Sequence, residues 1–538
     1  MIWRFLIAAV ASGSIGHPPV APHAWAVGVG PSGIASLRAQ LPGSETLVPG
    51  RALLVRGVRP TVRGAGYVVD LTASDRRIAF DNTEPGAAQQ WYLPQDLAWS
   101  YWPTLPQLGE VKVAVIDSGI DYGHPDFAGR IAGGVSFAGG SWKTDTCGHG
   151  TFVAGIIAAN PFNGIGMAGI AVNAKLLVVK ILTADCVVSS EAEVRGIRWA
   201  VDHGARIINM SLGGVRDPLD EALDTFSPPE QAAIDYATSK GVLVIAAAGN
   251  GTQSPSTPWR FAGYPAALNH VIGVGAIQQS GAVPDYSNRD PRYVDLVAPG
   301  GPIYSTIPRS LVDVHAGTCS EPYGPCGPSE FRNGIGTSFA APQVAAAAAL
   351  LLGTDPTLTP DQVAWLIERS ATDLTPSTGC RQCVVGRDSF TGAGALDVAA
   401  ALSLLGHSPL PARDAFEPND DAGPVAAKLP PSGTVDATLD YWDDPNDVYA
   451  VTLVKGQVIS ASLARGSEPS TVMTLWAPGT AHVSPSRTAS GRLAASAFSA
   501  GGMRLRFAAK ASGVYYLEVS ARTPSRSIAA YGLTVAVR

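Results

Sequence analysis

Between residues 111 and 352, short apolar runs alternate with stretches of helical periodicity. The runs at 111–116, 176–181, 206–210, 242–247 and 271–276 are largely apolar without polar alternation. A strand of that composition is buried on both of its faces. Helical patterns at 151–159, 190–203, 231–240 and 342–352 fall among these runs. The alternation predicts an α/β domain, roughly residues 82–405, in which helices cover both faces of a parallel sheet. Ligands of such sheets bind beyond the carboxyl ends of the strands. Residues 406–413, with two prolines, read as a linker. The pattern then changes to alternation and turns, with strands expected at 448–454, 458–463, 513–519 and 531–537. This predicts a small all-β sandwich over 414–538. Ahead of the α/β region, residues 27–81 carry apolar runs at 53–55 and 67–71, too little to make a robust domain alone.

Charged residues make up only 15% of the 538, against 46% hydrophobic, so a large core is expected and wholesale disorder is not. The net charge of −6 comes without basic blocks, which argues against nucleic acid or an anionic membrane surface as partner. At the N-terminus, Arg4, the apolar stretch 5–10 and Ala24-Trp25-Ala26 have the order of an export signal, giving a signal peptide over 1–26. No later run reaches the ~18 apolar residues of a membrane span. Residues 344–352 come nearest and read as a buried helix, so a soluble, secreted protein without a membrane span is expected. Six cysteines in an exported chain favour disulfides. Cys319–Cys326 and Cys380–Cys383 read as local clips, which leaves Cys147–Cys186, while Cys380-x-x-Cys383 also has the spacing of a zinc half-site.

Three short stretches carry chemistry. Asp117 ends the strand Ala114-Val-Ile-Asp117, where a carboxylate needs a donor or a cation to offset its burial. His149 opens a helix between two glycines in Cys147-Gly-His149-Gly. Ser338, in Gly336-Thr-Ser338-Phe-Ala-Ala-Pro342, sits where a helix begins, and the N–H groups there stabilise negative charge. Each has a plain structural reading: a turn aspartate, a structural histidine, a capping serine. The order Asp…His…Ser in these contexts is one of three known for serine proteases.

On these motifs the chain resembles the subtilisin family over about residues 82–405. The resemblance implies a secreted serine endopeptidase that hydrolyses peptide bonds through an acyl-enzyme. Ser338 would be the nucleophile, His149 the general base and acid, and Asp117 the residue that orients the histidine. Asn250, after the strand Ile245-Ala-Ala-Ala-Gly249, would serve the oxyanion hole. Ser211, Leu212, Gly213 and Gly214 would pair with an extended protein or peptide substrate. Ala247, Ala248, Gly249 and Gly263 would wall an uncharged specificity pocket, implying a large apolar or aromatic residue before the cleaved bond. No cofactor is needed for this chemistry. Asp126 and Asn163 match positions that hold structural calcium in the family. Residues 27–81 resemble a propeptide, which would fold the enzyme and inhibit it until cut. Residues 414–538, with Glu417-Pro-Asn-Asp420, resemble the pre-peptidase C-terminal domain of secreted bacterial proteases. Two other readings stay open: a binding protein on an inactive protease scaffold, and a carbohydrate-binding sandwich using Tyr441 and Trp442.

Overall fold

The computed structural model describes residues 84–98 and 108–538, except 162, 253, 313–328, 412–413, 440–443, 465–470, 481–482, 484–491, 496, 500–501 and 522–528. Before residue 84 it describes 24–29, 33–48, 52–56 and 65–70. The expected signal segment up to residue 23, the Cys319–Cys326 pair, Tyr441 and Trp442 lie outside the described residues. Close contacts divide the chain into two units, Met1–Asp81 and Asn82–Arg538. The first contains four antiparallel strands, ordered Glu45–Val48, Ala52–Arg56, Ala24–Val29, Ala65–Asp70, and a helix at Gly33–Gln40. The strand Ala24–Val29 begins within the expected signal cleavage motif.

The second unit is built on seven parallel strands: β1 (Val111–Asp117), β2 (Ile131–Ser136), β3 (Ala174–Lys180), β4 (Ile207–Met210), β5 (Leu243–Ala247), β6 (Val271–Ile277) and β7 (Leu296–Pro299). Their spatial order is β7-β6-β5-β4-β1-β3-β2. The five strands read from apolar runs are there within two residues of the expected ends. The sequence reading missed β2 and β7, the two edges. β2 is glycine-rich and only half-buried, so it lacks an apolar run, and β7 is four residues ending in proline.

Helices α1 (His149–Ala158), α2 (Ser190–Asp202), α3 (Pro228–Ser239) and α4 (Ala341–Thr354) match the four helical patterns. Ser189 caps α2 and Ser227 caps α3, each accepting from a first-turn N–H, and Pro228 suits the first turn of α3. α4 is preceded by a short 3₁₀ turn at Thr337–Phe339. Together Thr337–Thr354 is long and apolar enough to cross a membrane, which corrects the expectation that no segment is. It is 89% buried inside the protein, the position of a core helix.

Past the helix Val398–His407, two five-stranded sheets pack over a core that includes Tyr449, Leu453, Leu475, Leu517 and Leu533. All pairs are antiparallel except the two-residue strand Ala427–Lys428. The expected alternation is plain in Ser432–Leu439 and Asn446–Leu453, whose core-facing residues are buried. The structure contains disulfides Cys147–Cys186 and Cys380–Cys383, so the latter pair is not a zinc half-site.

Candidate active site

Because all seven strands run one way, Asp117, Ser211 and Ala248 emerge at the same edge of the sheet. The order reverses about β1: the chain places β3 on one side of it and β4 on the other. A crevice at such a reversal is where ligands of open α/β sheets bind.

Asp117 is buried, and both of its carboxylate oxygens lie 2.9 Å from Nδ1 of His149. Its Oδ1 also accepts the N–H of Ser118 at 2.7 Å. Burial by itself lowers the pKa of His149, but the charge and hydrogen bond of Asp117, with the charge of Asp145, outweigh it and leave it raised. Asp145, which the sequence reading passed over, holds the loop that presents the histidine. Its Oδ1 accepts from Ser118 Oγ, Cys147 N and Gly148 N, and its Oδ2 from both N–H and hydroxyl of Thr151. An aspartate just ahead of a helix is a capping signal, and that signal was available in the sequence. The disulfide from Cys147 to Cys186 ties the same loop to the chain beyond β3.

Ser338 lies in the 3₁₀ turn before α4 and donates its hydroxyl to the Ser211 carbonyl at 3.1 Å. Its neighbour Phe339 puts its ring 5.7 Å from the imidazole of His149. Asn250 stands opposite, where its Oδ1 accepts the N–H of Thr337 at 2.8 Å and its hydroxyl at 2.9 Å. With the oxygen held there, the amide can offer a ligand its N–H₂ group. Thr337 thus orients Asn250, a role that the sequence reading did not assign.

Leu212, Gly213 and Gly214 line two adjoining cavities. The smaller, about 110 Å³, is lined also by Ala247, Gly249, Asn250, Gly263 and Ser338. It is shaped by close backbone approaches. Gly214 and Tyr264 exchange backbone hydrogen bonds of 2.8 and 3.1 Å, and a Cβ on Gly263 would fall 2.4 Å from the Gly214 carbonyl. Gly249, at φ +103°, likewise leaves no room for a Cβ against Asn288. No charged residue lines this cavity among the described residues. Ala248 is fully buried behind it and accepts the N–H of Gly263 at 2.9 Å.

The larger cavity, about 600 Å³, is lined by Asp117, His149, Ser211 and Tyr264. It is also lined by Glu193 of α2 and Glu230 of α3, which the sequence reading missed. Both are buried and hydrogen-bonded to each other. Burial first, then the charge of Glu230, pushes Glu193 up to about 9. Helix-surface glutamates give no sequence signal of their own; only the packing of α2 on α3 brings them together.

Asp126 and Asn163 meet, but as hydrogen-bond partners. Asn163 Nδ2 donates to Asp126 Oδ1 at 2.8 Å, and Met167 N donates to Oδ2 at 3.2 Å. Asn163 Oδ1 accepts from Ile165 N. These bonds tie the Asn163 loop to the buried Asp126.

The subtilase family matches residues 109–386. Subtilisin DY of Bacillus licheniformis is 36% identical over 292 residues, which is 54% of this chain and 90% of that protein. Subtilisin E of Bacillus subtilis (strain 168) is 39% identical over 293 residues, 54% of this chain and 65% of that protein. The major intracellular serine protease of the same strain is 40% identical over 248 residues, 45% of this chain and 68% of that protein. The crystal structure of a lanthipeptide protease aligns at 25% identity and a TM-score of 0.48, over 59% of this chain and 94% of that one. Matched over more than half its length to the family, and over nine-tenths of a subtilisin, this chain belongs to the subtilases and is a serine endopeptidase.

Proposed function

We propose that Ser338, His149 and Asp117 form the catalytic triad of this endopeptidase, with Asn250 in its oxyanion hole. The observation that carries the reading is the double approach of Asp117 to Nδ1 of His149. That contact fixes the tautomer with the proton on Nδ1, so Nε2 is the nitrogen that takes the proton of Ser338. A serine hydroxyl is a weak nucleophile near neutral pH until a base does this. Ser338 attacks the substrate carbonyl carbon and its proton passes to His149. The N–H₂ group of Asn250 and the backbone N–H of Ser338 receive the oxyanion. The imidazolium returns the proton to the leaving amine, and water hydrolyses the acyl-enzyme by the same route.

The substrate would lie extended along Ser211–Gly214 by strand addition. The uncharged cavity beside Ser338 would take a large apolar or aromatic side chain before the cleaved bond. Secretion is supported by the N-terminal export pattern and by the disulfides. Residues 27–81 would be the propeptide and intramolecular inhibitor. Casein hydrolysis by the secreted chain and by Ser338→Ala tests the core of this reading: turnover falls to background in the variant. Equal turnover by the two proteins would refute it. Mass spectrometry of the secreted protein would fix its termini.

A further inference from the structure

The larger cavity beside His149 joins apolar walls to an acidic floor. Leu182, Val188, Leu212 and Tyr264 line it, and Val187 at its mouth is exposed. Glu193 and Glu230 line it too, yet they are only 7% and 5% exposed. Each stands in the first turn of its helix, where the N-terminal dipole favours negative charge. Ser227 caps α3, and a glutamate three residues after such a cap ordinarily turns back onto the N–H of the capping residue. The carboxyl group of Glu230 meets Glu193 instead.

A carboxylate has no proton to donate, so two carboxyl groups joined by a hydrogen bond share one. That proton answers part of the pair's charge and leaves one oxygen without any answer. Oε1 of Glu193 is buried with no hydrogen-bond partner. Such an oxygen is costly to keep dry unless a donor or a cation reaches it. No lysine or arginine lines the cavity among the described residues. Its other titratable groups are engaged elsewhere: Asp117 with His149, and Tyr264 with Asp224. Arg216, whose charge is felt at Tyr264, is paired with Asp290 at 2.9 Å. A guest with an aliphatic stem and N–H donors at its tip answers both the walls and the floor, and about 600 Å³ gives it room.

We propose that Glu193 and Glu230 form a second specificity site, which receives a lysine or arginine side chain of the substrate two or four residues before the cleaved bond. The inference rests on the endopeptidase reading and on the extended course of the substrate along Ser211–Gly214. In that course successive side chains point to opposite sides. With the residue before the bond in the smaller cavity, the second and fourth residues turn the other way. The stem of the guest packs on Leu182, Val188 and the ring of Tyr264. Its cationic head takes the place of the shared proton between the two carboxylates, and that proton leaves to solvent. Burial and Glu230 hold the proton on Glu193 up to about pH 9, so the cation competes with it and binds better as pH rises.

The test compares peptides that carry phenylalanine before the cleaved bond and differ only two or four residues earlier, with arginine set against norleucine. At one of these positions arginine raises kcat/KM about tenfold at pH 8. The ratio of arginine to norleucine peptide grows from pH 6 to pH 9 as the pair gives up its proton. Arginine keeps its charge throughout, and the titration of His149 cancels in the ratio. Glu193→Gln/Glu230→Gln brings the ratio to about one at every pH, with each enzyme as its own reference. Binding of the same labelled peptides to Ser338→Ala, read by fluorescence anisotropy, follows the same order without turnover. If neither peptide were cut, the proposed triad would be at fault, and the binding comparison would still decide this site. A ratio of one or less at both positions in the parent, which needs no variant to fold, would overturn the proposal. So would a ratio that falls as pH rises, or one that the double variant leaves unchanged.

Discussion

The carboxyl pair at the floor of the larger cavity makes a quantitative prediction. Glu193 has an ordinary pKa of 4.5 and is pushed to about 9 in the folded protein, by burial first and then by Glu230. A group with a raised folded pKa contributes its full stability below the unfolded value and loses it as pH rises toward the folded one. The loss between pH 4.5 and 9 runs at about 1.4 kcal/mol per pH unit, so by pH 7 it reaches about 3 kcal/mol. Glu193→Gln removes the titration and keeps a hydrogen-bond donor for Glu230. In a Ser338→Ala background it should therefore be more stable than its parent by about 3 kcal/mol at pH 7 and little different near pH 4.5. Urea unfolding at a series of pH values from 5 to 8 measures this, since stability scales with the midpoint at constant slope. Parallel stability curves for parent and variant across that range would refute the reasoning, because they would mean that Glu193 titrates alike folded and unfolded.

Asn250→Leu should lower kcat about 10²–10³-fold with little change in KM, a range known from a subtilisin's own asparagine. Because Asp117 and Asp145 hold the pKa of His149 above 6.5, the acid limb of the kcat/KM profile should fall above that value. Asp117→Asn should lower kcat about 10⁴-fold by releasing the tautomer, which steady-state kinetics would show. Asp145→Asn puts an amide N–H₂ against the donors that carry the His149 loop, so it should reduce kcat while leaving folding, followed by circular dichroism, intact.

Much of this protein is legible in one dimension. Buried parallel strands are apolar throughout, so β1, β3, β4, β5 and β6 show themselves without any partner in view. The motifs around Asp117, His149, Ser338 and Asn250 are equally local, since a strand end or a helix start dictates which residues can sit there. Edge strands β2 and β7 escaped because half-burial and shortness remove the apolar signal. Asp145 and Thr337 escaped for another reason: they act on a neighbour's orientation, and a capping residue looks the same whether or not it carries a catalytic one.

Tertiary structure alone decided the rest. Glu193 and Glu230 stand on different helices, 37 positions apart in the chain. Their chemistry is a property of the distance between them and of the water excluded there, and neither quantity is written in any local stretch. Asp126 and Asn163, 37 positions apart, likewise meet only through the fold. Sequence determines which groups are available; folding determines which of them face one another in a medium where an unpaired charge cannot be left alone.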